Sequence, residues 1–338
     1  MRYPAPAWLP GGHLQTMLPA VAMRQAGPPM RRERWPTADG DFIDVDFVDG
    51  LPGRPMVVLF HGLEGSSGSH YAKALMAALA ARGWSGAVPH FRGCSGEANL
   101  APRFYHSGDA AEIDWVLRKL RLRTTAPFSA AGVSLGGNAL LRWLGESQGQ
   151  AAIVDAACAV SAPLDLAQGG AALSSGLNRI YTRMFLRTLK PKCLHKLTQF
   201  PGLFDRAALL AARDLYAFDN VVTAPLHGYK NTDDYWDRAS ARHVLDDIRV
   251  PTLVLNARND PFLPGRYLPT SAAPAVTLEY PAHGGHVGFA VGGPPGRLDW
   301  LPQRLLAFFD GVGGERAQPG AASGAPARAS MCDAHEHG

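Results

Sequence analysis

The sequence places a serine at the centre of Gly132-Val133-Ser134-Leu135-Gly136, with Gly137 directly after it. Such a pattern is short enough to arise by chance, and its neighbours give it meaning. A strand-like run, FSAAGVS (128–134), leads into it, and a helix-like run from Gly136 to about Glu146 leads out. A sharp strand-to-helix corner pushes the serine hydroxyl clear of the sheet, and glycines two residues to either side leave room where side chains would collide. The serine then also stands at a helix N-terminus, where free N–H groups and the helix dipole favour negative charge. A serine hydroxyl is a weak nucleophile until a base takes its proton and an acid orients that base. The chemistry on offer is nucleophilic attack on an acyl carbon, with Ser134 as the nucleophile.

Twelve histidines compete for the base. A chain order of nucleophile, acid, base puts the base just after the last predicted strand. That selects His286 in HGGHVGF, with His283 as its near rival. His61, His70, His90 and His106 come too early in the chain for this order. The acid is expected after a strand between the other two. Asp260 in NARNDPF directly follows VPTLVLNA (250–257), and Pro261 ends that strand. Asp165 in SAPLDL is the rival, with a helix N-cap as its alternative role. The oxygen that gains negative charge needs two N–H donors. Leu135, next to the nucleophile, is expected to supply one. The other is expected from His61-Gly62-Leu63-Glu64-Gly65, with Leu63 N–H ahead of Glu64 N–H.

These groups need a scaffold. MVVLFHGL (56–63) is a continuous apolar run, as in a strand buried on both faces. Residues 34–49 alternate around Asp39-Gly40 and predict a hairpin. Further strands are expected at 85–91, 156–162 and 275–281, and helices at 70–82, 107–123 and 297–309. Strands alternating with helices predict an α/β fold with a mostly parallel sheet covered on both faces. The stretch 165–245 breaks the alternation and reads as a helical cap insertion over the site. Within it Leu177, Ile180, Tyr181, Met184, Phe185 and Leu189 fall at helical spacing with Arg179, Arg183 and Arg187 opposite. That apolar face suggests a hydrophobic acyl substrate. Residues 1–30 show no clear period and are expected to form an N-terminal strap or mobile arm. The main domain would then span 31–312, followed by an Ala/Gly/Pro/Ser-rich, disordered tail from Gly313 to Gly338 whose CDAHEHG ending reads as a free tail rather than a metal site.

Composition narrows the classes. The 338 residues are 46% hydrophobic and 18% charged, enough for a large core and too apolar for general disorder. The net charge is only +4, no Lys/Arg cluster dominates, and neither phosphate-loop nor dinucleotide glycine pattern is present, so no nucleic acid or nucleotide partner is expected. Cys94, Cys158, Cys193 and Cys332 are far apart with no C-x-x-C pair, which argues against metal clusters and suits a reducing compartment. The N-terminus lacks a signal-peptide apolar core, and the uncharged stretch between Arg123 and Arg142 holds Pro127 and several glycines. A cytoplasmic protein without integral membrane association is expected, with no metal or organic cofactor.

Taken together, WLPGGHLQTMLP (8–19), HGLEGSSGSHY (61–71), HFRGCSGE (90–97), RFYHSGD (103–109), GVSLGGN (132–138), TAPLHGYK (223–230), NARNDPF (256–262) and GGHVGF (284–289) resemble the α/β-hydrolase superfamily, in its YheT-like branch (AB hydrolase family 4). The resemblance spans nearly everything before the tail. It implies that Ser134, Asp260 and His286 form a charge-relay triad in a carboxylic-ester hydrolase. Acyl transfer to an alcohol is the alternative, and a non-catalytic ligand-binding protein on the same scaffold is an alternative of another class. Arg92, His106 and Asp109 lie in blocks too polar for plain core, and read as a buried Arg–Asp pair holding loops or as substrate contacts.

Overall fold

Val57, Val58, Leu59 and Phe60 are apolar in succession, and a strand tolerates that only when both of its faces are covered. In the computed structural model, which describes residues 2–23 and 25–317, this strand lies near the middle of one twisted sheet. Among the described residues eight strands form that sheet: β1 (Arg31–Pro36), β2 (Phe42–Val48), β3 (Met56–Phe60), β4 (Ser85–Pro89), β5 (Phe128–Val133), β6 (Ala156–Val160), β7 (Thr252–Leu255) and β8 (Val276–Glu279). Their spatial order is β1-β2-β4-β3-β5-β6-β7-β8. The hairpin β1–β2 and the pair β2–β4 are antiparallel, and every later pairing is parallel. The exposed edge strand β1 carries Arg31, Arg32, Glu33 and Arg34, charges that blunt edge-to-edge pairing.

The helices are α1 (Gly11–Val21), α2 (His70–Ala81), α3 (Ala110–Arg121), α4 (Leu135–Ser147), α5 (Leu166–Leu173), α6 (Arg179–Gln199), α7 (Arg206–Ala211), α8 (Leu215–Val221), α9 (Thr223–Leu226), α10 (Thr232–Ala239) and α11 (Trp300–Ala317). Successive strand residues point to opposite faces, so the sheet builds two cores. Val58, Phe60 and Ala130 pack with Ile113 and Leu117 of α3 and Leu140 and Trp143 of α4. Val57, Leu59 and Val133 pack with Leu75 and Leu79 of α2 and Leu305 and Phe309 of α11. Between β6 and β7, helices α5 to α10 form the insertion above the strand ends, with its own small core around Leu186, Leu209 and Phe218.

Three expectations change or sharpen. Residues 11–21 of the N-terminal strap form a helix that no period predicts: α1 buries Gln15, Thr16 and Pro19 while Leu14 and Val21 face solvent, so no inward apolar period exists to read. The last helix runs beyond 309 to Ala317; residues 318–338, with CDAHEHG, lie outside the described residues. The apolar set at 177–189 is not one face: Tyr181 is buried and Phe185 and Leu189 line the cavity, whereas Leu177, Ile180 and Met184 are exposed.

Candidate active site

The corner between β5 and α4 holds Ser134 at φ 53°, ψ −120°. A left-handed φ in a residue with a Cβ costs about 1–3 kcal/mol and persists where packing dictates it. Here Ser134 N–H donates to the Val160 carbonyl at 2.8 Å, and the Ser134 carbonyl accepts from Asn138 N–H at 3.0 Å. Gly136 explains the tightness: a Cβ there would lie 2.5 Å from the carbonyl oxygens of both Phe60 and His61. Asn138, fully buried, continues the anchoring by donating to the Ser107 and Ala239 carbonyls and accepting from Ala241 N–H, which ties α4 to the end of the insertion.

The structure brings Ser134, His286 and Asp260 together. His286 Nε2 lies 2.9 Å from Ser134 Oγ, and His286 Nδ1 lies 2.9 Å from Asp260 Oδ2. A carboxylate only accepts, so Nδ1 carries the proton and Nε2 is left to accept from the serine hydroxyl. Asp260 is 2% exposed and its other oxygen accepts from Phe262 N–H at 2.8 Å, which fixes the carboxylate plane. The Phe262 ring stacks on His286 with centroids 3.9 Å apart. The two rivals stand elsewhere. His283 is exposed, with its Nδ1 at 3.5 Å from Asn259. Asp165 caps α5 through Gln168 N–H and pairs with Arg242.

Leu63 and Leu135 line the cavity beside Ser134, and among the described residues neither amide N–H has an acceptor. Glu64 N–H, the second choice, is taken by the Tyr105 hydroxyl at 2.7 Å. Glu64 has φ 57°, and its carboxylate accepts from Lys192 Nζ of α6 at 2.8 Å, so an ion pair joins this loop to the insertion. His61 beneath the loop accepts from Phe91 N–H at Nε2 and therefore donates from Nδ1 to the Gly62 carbonyl. Burial holds its pKa down at about 3, so it stays neutral and structural.

Residues of α1 complete the site, and the sequence reading missed them. Thr16 Oγ1 accepts from His286 N–H at 2.8 Å. Gln15 Oε1 accepts from Gly284 N–H at 2.8 Å and from Asn259 Nδ2 at 2.9 Å, so one buried amide joins the base loop to the acid loop. The approach is close: a Cβ on Gly288 would lie 1.8 Å from the Gln15 carbonyl oxygen. The only signal was the polar pair Gln15-Thr16 inside WLPGGHLQTMLP. Ser161 adds a bond from Val287 N–H at 3.1 Å.

Arg92 is held by three carboxylates, Asp39, Asp41 and Glu112, while Asp109 pairs with Arg103 instead. The pairing holds loops together, and its acidic partners differ from the one expected. His106 does line the cavity and faces His227 at a ring separation of 4.2 Å; burial lowers both to about 3. These groups line one cleft that opens to solvent. Apart from the reacting groups its wall is mostly apolar, supplied by Leu166, Leu173, Phe185, Leu189, Leu215 and Phe218 of the insertion.

The alpha/beta hydrolase fold family matches residues 55–292. The chain belongs to the α/β-hydrolase family, in its YheT-like branch. It is 40% identical over 301 residues to the candidate esterase YheT of Escherichia coli (strain K12), covering 87% of this chain and 88% of that one. It is 31% identical over 311 residues to phospholipase ABHD3 of Mus musculus, covering 88% and 75%. Among solved structures, Est1E from Butyrivibrio proteoclasticus with ferulic acid bound superposes with a TM-score of 0.54 at 14% identity, covering 85% of this chain and 100% of that one, a likeness of fold. Among the described residues no helix is long and apolar enough to cross a membrane.

Proposed function

We propose that this protein is a serine hydrolase that cleaves carboxylic esters of apolar acyl groups through an acyl-enzyme. The observation that carries the reading is the relay Ser134 Oγ to His286 Nε2 and His286 Nδ1 to Asp260, both at 2.9 Å, opening onto an apolar cleft. The names of its esterase and phospholipase relatives agree with it.

In this reading Ser134 Oγ attacks the ester carbonyl carbon while His286 Nε2 takes the hydroxyl proton. Asp260 holds the imidazole tautomer and stabilises the imidazolium that forms. The carbonyl oxygen becomes an oxyanion and is met by the N–H groups of Leu63 and Leu135, each contributing roughly 3 kcal/mol to the transition state. As the intermediate collapses the C–O bond to the alcohol breaks, and His286 returns its proton to the leaving oxygen. Water then enters, gives a proton to His286 and attacks the acyl carbon; as the bond to Ser134 Oγ breaks, His286 returns that proton to the serine oxygen and the carboxylic acid leaves. The cleft holds the acyl chain, and its apolar wall excludes bulk water from the acyl-enzyme. Labelling with a fluorophosphonate probe tests the assignment: one adduct per chain on Ser134 is expected, and an unlabelled serine in a folded protein would refute it.

A further inference from the structure

Two helices beside the cleft turn apolar residues to solvent. On α6 and the turn before it, Leu177, Ile180 and Met184 are 67%, 45% and 54% exposed. On α1, Leu14, Met17 and Val21 are 49%, 37% and 71% exposed. Each set is spaced i, i+3, i+7 and so forms one stripe along its helix. The helices meet where the His13 ring lies parallel to that of Tyr181, with Nδ1 at 3.2 Å from the tyrosine oxygen. Leu14 follows the first of these residues and Ile180 precedes the second.

Charge decides what such a face would meet. Between Asp165 and Asp205 the sequence has no acidic residue and six Lys or Arg. The first 32 residues also have no acidic residue, and four Arg. Ten positive charges sit in these two stretches of a chain whose net charge is +4, so the remainder is net negative; of the ten, Lys192 is paired with Glu64 and Lys196 is buried. Arg179, Arg183 and Arg187 are exposed alongside the α6 stripe, and among the described residues none has an ion-pair or hydrogen-bond partner. By contrast Arg31, Arg32 and Arg34 of β1 are each held by a carboxylate.

We propose that this face docks on an anionic lipid surface. The two stripes enter the boundary between headgroups and acyl chains, and the three free guanidiniums meet lipid phosphates. The inference deepens the ester-hydrolase reading and rests on it, because a hydrophobic ester resides in lipid rather than in water. The geometry suits delivery. The opposite side of α6 lines the cleft through Phe185 and Leu189, and Tyr181 packs on Phe262 at 4.8 Å, the same ring that stacks on His286. The other stripe belongs to α1, whose Thr16 holds the His286 backbone. The docking face is therefore one helix thickness, roughly 10 Å, from the reacting groups.

Flotation of the full chain with vesicles of phosphatidylcholine, with and without phosphatidylglycerol, tests this. Binding to the anionic vesicles that weakens with added salt is expected. Arg179→Gln/Arg183→Gln/Arg187→Gln should weaken it by about a hundredfold, and Ile180→Asp/Met184→Asp by at least about tenfold. Both variants should hydrolyse a dissolved short-chain ester at the wild-type rate, which shows that they are folded. Ser134→Ala should float like the wild type, so failure of docking and failure of the hydrolase reading separate cleanly. No binding of the wild type to anionic vesicles at low salt, or variants that bind as the wild type does, would overturn the proposal. So would a wild-type dimer in light scattering that Ile180→Asp/Met184→Asp dissociates, which would give the face to a second copy.

Discussion

The strand-end corner and the helical insertion meet across one cleft, and they are held by different kinds of force. At the corner the backbone is fixed by close approach: Ser134 at φ 53°, and the carbonyls of Phe60 and His61 where a Gly136 Cβ would stand. In the insertion, position is set by side-chain packing around Leu186, Leu209 and Phe218, by the Lys192–Glu64 ion pair to the loop below and by the Asn138 bonds at its end. Geometry of the first kind tolerates almost no change and suits reacting groups. Packing of the second kind tolerates repacking and suits selection among substrates. If that contrast holds, substitutions at the corner should abolish rate, and substitutions in the insertion should redirect it.

The largest effect is expected at the nucleophile. Ser134→Ala should lower kcat for a p-nitrophenyl ester by about 10⁴-fold or more while leaving the melting temperature near that of the wild type. Next comes the buried amide that joins the acid and base loops. Gln15→Leu strands the donors of Gly284 and Asn259, each costing about 1–3 kcal/mol. Activity should fall by about 10–100-fold, a hinge-like loss without contact to substrate. In the insertion, Leu189→Ala or Phe185→Ala should preserve turnover and move the acyl-length optimum toward longer or bulkier chains, with about tenfold changes in kcat/KM. A series of graded p-nitrophenyl esters measures this, and an unchanged profile would break the contrast.

A further effect is in pH, and it is read in stability rather than in rate. His61 sits in the corner's loop, and His106 and His227 face each other where a core loop meets the insertion. All three have folded values near 3 against an ordinary 6.5, because burial disfavours the charged ring. A lowered histidine contributes stability that is fully present above about pH 6.5 and is lost as pH falls toward 3. Each group should cost about 1.4 kcal/mol per pH unit within that window. Denaturant midpoints at pH 7 and pH 5 should show the loss, and His227→Asn should reduce the slope by one proton.

Legibility in the sequence follows the same division. The sheet strands were readable because burial on both faces leaves near-continuous apolar runs such as Met56–Phe60 and Ala156–Val160. Ser134 and Asp260 could be picked out because each closely follows such a run, and His286 because it comes after the last strand, where chain order leaves few candidates. Gln15 and Thr16 could not, since α1 packs its polar residues inward and shows its apolar ones to solvent, the reverse of the usual pattern. The 177–189 stretch misled for a related reason. Apolar residues at helical spacing count alike whether they line a cleft, as Phe185 and Leu189 do, or face water, as Ile180 and Met184 do. The partners of Arg92 were partly misread because Asp39, Asp41 and Glu112 come from distant segments that only the sheet brings together.

The central claim is that an acyl group passes through Ser134 Oγ, and trapping it is the direct test. The protein is mixed with a medium-chain p-nitrophenyl ester, acid-quenched within the first turnovers, and read by intact mass and peptide mapping. One acyl group per chain, located on Ser134 and absent from Ser134→Ala, is the predicted result. An acyl group on a different residue, or ester hydrolysis by Ser134→Ala at the wild-type rate, would contradict the account.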